Sequence, residues 1–262
     1  MPRLKSVIIM ATYNKRGHKP PKPKAEEEEL EAMKGSETAE VFNSLDSSAN
    51  KIGTWFTLNQ TKVFYGIGVL ALAVVGYLGY QNFVMEPKED EAANEIFQAR
   101  QYYADAVNGV SPDSLFNLAL NGGEGKLGLL VLIEQYPRTD VANESHYLAG
   151  TAYLNLGKYK EAIQYLEKYN AKDLFTKSMS LGAIGDAFTE LNQYEDAFDF
   201  CKRAAQHTTN DFTTPRYAYK AGLMALELGK KNEALKFFTD IKENYKTSVE
   251  AANIDVYLGM AQ

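Results

Sequence analysis

His18, His146 and His207 are the three histidines of the chain, and Cys201 is its single thiol. Metal ligation and general acid–base catalysis ask for such residues in groups, close in sequence or on one helix face. These four stand far apart with no ligand spacing among them, so each histidine reads as a surface or packing residue. A lone cysteine excludes an internal disulfide and a multi-thiolate metal site. The run NGGEGKLG at 121–128 has the glycines of a phosphate loop. It follows no strand pattern and has no closing Gly-Lys-Ser/Thr, so it reads as a turn. No nucleophile is paired with a base at a useful spacing. What remains is the chemistry of binding, with no catalytic residue, no metal and no cofactor implied.

The elements that must position any binding residues divide at residues 63–85, which hold 23 residues without a charge. A helix of that length spans roughly 35 Å, against a hydrocarbon core of about 30 Å. The expected transmembrane helix runs over 62–85. Val63, Leu70, Leu72 and Val75 would face lipid, and Tyr77 and Tyr80 would anchor it at the interface. Gly66, Gly68, Gly76 and Gly79 are ordinary for such a helix, and also let a second helix approach closely. Before it, residues 1–62 carry 10 Lys and Arg against 8 Asp and Glu, whereas residues 86–262 carry 18 against 26. Positive charge in a short tail resists translocation, which puts the N-terminus in the cytoplasm and residues 86–262 across the membrane. The acidic balance of that long part speaks against nucleic acid as its partner.

Residues 1–35 read as a disordered charged tail. It has seven basic residues and no acid through Lys24, and Pro20, Pro21 and Pro23 break any helix. Weak contact with anionic lipid or the ribosome is one use for it; a solvated tail that only enforces topology is the other. Residues 36–61 read as a juxtamembrane amphipathic segment, with Val41, Phe42, Leu45, Ile52, Trp55 and Phe56 at roughly helical spacing.

Beyond the apolar segment three stretches align: AGTAYLNLGKYKEAIQYLEKY, IGDAFTELNQYEDAFDFCKRA and AGLMALELGKKNEALKFFTDI. Their equivalent alanines are Ala162, Ala197 and Ala234, spaced 35 and 37 apart. Twelve residues earlier stand Gly150, Gly185 and Gly222, and the turn position holds Gly157, Asn192 or Gly229. Such a period describes two antiparallel helices joined by a left-handed residue, with glycine and alanine where the axes cross. Tyr153, Phe188 and the leucines at 156, 191 and 228 would fill the space around the crossing. The pattern resembles the tetratricopeptide repeat. It departs from it at the unit ends, which lack the usual proline, and in the third unit, where Ala225 replaces the aromatic and Lys231 the turn tyrosine. The expected fold is all-α: a solenoid of helix pairs at about 111–138, 143–173, 178–208 and 215–246, capped by helices at 89–108 and 247–261.

Stacked pairs of this period leave a groove along their first helices. The residues expected to line it are Tyr147, Thr151, Asn155, Asp186, Glu190, Tyr219, Leu223 and Glu227. They include no basic cluster, so capture of a C-terminal carboxylate is not expected. Aromatic and mildly acidic, they suit a segment with apolar and some basic side chains, or serve only as solvated surface.

The order of segments carries a closer resemblance: a basic tail, AEVFNSLDSSANKIGTWFTLNQ, one apolar stretch, EPKEDEAANEIFQARQYYADA, then the repeats. Over about residues 11–262 it is similar to the bacterial membrane-anchored tetratricopeptide-repeat family of ancillary Sec translocon subunits, also grouped with cell-division coordinator domains. The likeness is strongest in LALNGGEGKLGLLVLIEQYPRTDVANESHYLAGTAYLNLGKY. It implies a bacterial inner-membrane protein with periplasmic repeats, working beside the SecYEG channel and a membrane-anchored peptidyl-prolyl isomerase in handing over emerging substrates. The alternatives are a scaffold of another envelope complex and a cytoplasm-facing docking receptor.

Overall fold

The structure, a computed structural model, describes residues 51–109 and 111–262. It divides into two units, Met1–Val75 and Gly76–Gln262. The charged tail and the stripe Val41, Phe42 and Leu45 lie outside the described residues. In the first unit residues 51–58 are helical, with Ile52, Trp55 and Phe56 exposed. Helix α1 (Gln60–Tyr80) begins there and has no buried residue. An isolated helix that exposes Leu70, Leu72 and Val75 to water is unfavourable; a helix this long and apolar is suited to cross a membrane, by length and composition. The expected span at 62–85 does not stay α-helical to its end, because Gln81–Met85 widens into a π turn.

The second unit is built of helices. They are α2 (Glu86–Val107), α3 (Pro112–Asn121), α4 (Leu129–Gln135), α5 (Asp140–Asn155), α6 (Tyr159–Lys168), α7 (Leu174–Glu190), α8 (Tyr194–His207), α9 (Thr213–Glu227), α10 (Lys231–Asn244) and α11 (Ile254–Ala261). Consecutive helices pack on one another as antiparallel pairs: α5 on α6, α7 on α8, α9 on α10. Leading helix α2 is tied to the N-terminal part of α5 at two places. The Glu89 carboxylate accepts from the backbone N–H groups of Asp140 and Val141, at 2.7 and 3.1 Å, and so serves as an N-terminal cap supplied by another helix. Further along α2, Arg100 grips Glu144 bidentately at 2.7 and 2.5 Å.

Two expectations change. The glycine run is not a bare turn: Gly122–Gly123 and Lys126–Leu127 pair as a minimal antiparallel ladder, β1 and β2. Glu124 (φ 54°) and Gly125 (φ 77°) both take left-handed backbone, as a two-residue hairpin loop requires. The trailing cap is not one helix. Ser248 Oγ accepts from Ala251 N–H at 3.2 Å and starts a 3₁₀ turn, Val249–Asn253, before α11 begins.

The three aligned units share one joint. Lys158, Gln193 and Lys230 donate their N–H groups back to the carbonyls of Tyr153, Phe188 and Ala225, at 2.9, 2.9 and 2.7 Å. Gly157, Asn192 and Gly229 donate to Leu154, Thr189 and Leu226, and all three have positive φ. This double closure is the Schellman motif. Where the axes cross, a Cβ on Gly150 would stand 2.5 Å from Leu166 Cγ, and one on Gly185 2.6 Å from Cys201 Sγ. One on Gly222 would stand 2.6 Å from Phe238 Cζ. Each partner lies four residues after the fully buried alanine, Ala162, Ala197 or Ala234.

The core falls into two apolar clusters. One joins α2 through α5, around Ile96, Phe116 and Leu129; the other joins α7 through α11, around Phe198, Tyr217 and Phe238. Between them, α6 packs on α7 more sparsely than α8 does on α9, across Leu166 and the buried Ser178 and Ser180.

Cys201 is buried in the second cluster, and burial pushes its thiol up to about 12. At pH 8 the native protein should therefore react with an aromatic disulfide reagent far more slowly than the urea-unfolded chain, whose free thiol has a pKa near 8.5. Equal rates in the two states would place the sulfur at the surface.

Candidate partner-binding groove

The first helices of successive pairs line one surface, and a cavity of about 490 Å³ opens on it. Its walls come from α2, α3, α5, α7 and α9. Four of the sequence candidates meet there: Tyr147, Thr151, Asn155 and Asp186. The helical period explains the gathering. Tyr147, Thr151 and Asn155 are four residues apart and so share a face of α5. The buried Thr151 hydroxyl lies 2.9 Å from Tyr103 Oη and 3.0 Å from the Tyr147 carbonyl, which fixes the wall. The Asn155 amide donates to the Thr151 carbonyl at 2.8 Å, leaving its own oxygen unused by that bond. Burial pushes the Tyr147 phenol up to about 12, helped by Tyr103 and Tyr169, so it is a neutral donor at physiological pH.

The other four candidates are not part of this cavity. Tyr219 lines a second one of about 380 Å³, with Lys220, Glu250 and Tyr257. Its ring meets that of Tyr257 edge-on at 5.1 Å, so the trailing helix covers part of it. Glu190 accepts a hydrogen bond from the Tyr159 hydroxyl at 3.2 Å, which ties it to α6. Leu223 packs on the C-terminal apolar cluster, and Glu227, exposed, lines neither cavity.

The structure also corrects the expected charge. Asp186 is held by Lys220, whose Nζ donates to both carboxylate oxygens at 2.5 and 2.7 Å. Both side chains are about one-third exposed, so the pair holds the two helices in register more than it stabilises them. Arg216 lines both cavities and makes no ion pair among the described residues. Sequence reasoning missed Arg216, Lys220, Tyr103 and Met179. Tyr103 sits on a leading helix with no repeat register to place it. Lys220 could have been found from its spacing of 34 from Asp186, close to one period.

Two stretches, residues 144–170 and 217–248, each match a different family model for the tetratricopeptide repeat. They fall on the α5–α6 and α9–α10 pairs. The chain carries tetratricopeptide repeats. The α7–α8 pair between them has the same joint and the same glycine crossing, so it is a third copy by geometry. A tetratricopeptide unit is a protein-interaction module, and its first helices form the usual receiving face. No curated protein matches the chain.

Proposed function

We propose that this protein is a membrane-anchored tetratricopeptide adaptor that holds protein partners along its first-helix face. Its anchor is α1, its tail is cytoplasmic and its repeats are periplasmic. The observation that carries the binding role is the 490 Å³ cavity, where the half-buried rings of Tyr103 and Tyr147 lie on one wall with the carboxamide oxygen of Asn155, and the guanidinium of Arg216 lines the same cavity. Aromatic side chains with a polar handle dominate protein recognition sites. The positive tail supports the orientation. The likeness to ancillary translocon subunits supports SecYEG and a membrane-anchored peptidyl-prolyl isomerase as partners, with hand-over of emerging substrates as the task.

The test is purification of the full chain in mild detergent, with mass spectrometry of what accompanies it. Channel subunits and a periplasmic folding factor should be recovered with the natural protein, and be several-fold depleted with Tyr147→Ala. Recovery of a different envelope complex would sustain the adaptor and overturn the translocon assignment. Protease added to spheroplasts should digest residues beyond Glu86; digestion only in inverted vesicles would support a cytoplasm-facing receptor instead.

A further inference from the structure

The free charge along the groove differs from the one that composition implies. Asp186 and Arg216 are the charged residues among those lining the larger cavity. Asp186 is neutralised by Lys220 at 2.5 Å, which leaves the guanidinium of Arg216 as that cavity's uncompensated charge. Arg216 is exposed and also lines the smaller cavity, so it is the residue the two cavities share. Beyond it, in the smaller cavity, Glu250 makes no ion pair among the described residues.

We propose that the groove selects an extended peptide segment with a large apolar side chain in the 490 Å³ cavity and a single aspartate or glutamate, next along the segment, paired with Arg216. Arg216 lines both cavities, so a segment that occupies both meets it with an internal residue and not with a chain end. An arginine fork meeting a carboxylate makes a bidentate, directional contact, and a charge-assisted hydrogen bond of this kind is among the stronger polar contacts. Glu250 disfavours a second acid on the far side, which fixes the register and rejects acidic runs. The apolar cavity alone would accept many segments; the one cation gives the choice among them.

This inference rests on the first-helix face being the binding face. The test uses the full chain in lipid nanodiscs, panned against a library of random twelve-residue peptides, with Arg216→Glu and Tyr147→Ala proteins panned in parallel. The natural protein should enrich peptides with one acid beside an aromatic or large aliphatic residue. Changing that acid to lysine in a selected peptide should weaken binding about tenfold or more, as loss of one such contact costs at least about 1.4 kcal/mol. Arg216→Glu should enrich lysine or arginine at the same place; a side chain with a merely structural role would not reverse the selected charge. Selected peptides without an acid, or the same peptides from both proteins, would overturn the inference and leave the face assignment standing. Peptides that bind Tyr147→Ala unchanged would overturn both.

Discussion

Phe238→Ala should cost the repeat domain about 3–5 kcal/mol of stability, the range for removing a fully buried phenylalanine. Its ring is 0 % exposed and lies against Gly222, whose missing side chain makes the room. Rings of Tyr219 and Tyr257 stand at 6.2 and 5.6 Å, so the hole would open beneath the trailing helix as well as between α9 and α10. Gly222 brings no side chain of its own to fill the hole from the facing helix. Urea unfolding followed by circular dichroism, in a fixed detergent, reads the change as a lower midpoint at an unchanged slope. A loss below about 1 kcal/mol would mean that the two helices collapse onto each other and leave no cavity.

Gly182→Ala should also destabilise, and here the sign is the informative part. Glycine to alanine within a helix ordinarily stabilises by about 1 kcal/mol. At Gly182 the new Cβ would fall within the ring of Tyr217, on the neighbouring first helix. That ring is 5 % exposed and belongs to the second apolar cluster, so it has little space to swing into. Overpacking of this kind costs about 1–3 kcal/mol. Thermal melting should show the drop for Gly182→Ala, and a smaller drop for the same change made in a Tyr217→Ala background, because the two sites are in contact and their effects do not add. A stabilised single variant would show that α7 and α9 have room to part.

The repeat was legible because its signals are local. The Gly157, Asn192 and Gly229 joints follow from residues that accept positive φ, and the period of the alanines gives the pairing. The packing of the third unit was not legible. Ala225 looked like a loss, since Tyr153 and Phe188 at the same place stack on Tyr165 and Phe200 at 5.4 Å. The compensation comes from Phe238 in the second helix, where the earlier units have the smaller Leu166 and Cys201. Half of the proposed groove residues met because they sit at a four-residue spacing on one helix or at the matching place on the next. Glu190 and Tyr219 did not, because each is drawn to a hydroxyl partner or a covering ring outside the repeat register. The charge of the groove was misread for a related reason: composition counts Asp186 as acidic, while an amine one period away cancels it.

The division of the core into two clusters makes the solenoid a spring of uneven stiffness. Each block is cemented by large apolar side chains, and the coil between them is joined by Leu166 and small buried serines. Load applied along the stack will concentrate at that soft coil, as strain does at the weakest interface of a repeat array. The larger cavity has Tyr103 and Tyr147 on one block and Met179 and Tyr217 on the other, so its width is set by the pitch of that coil.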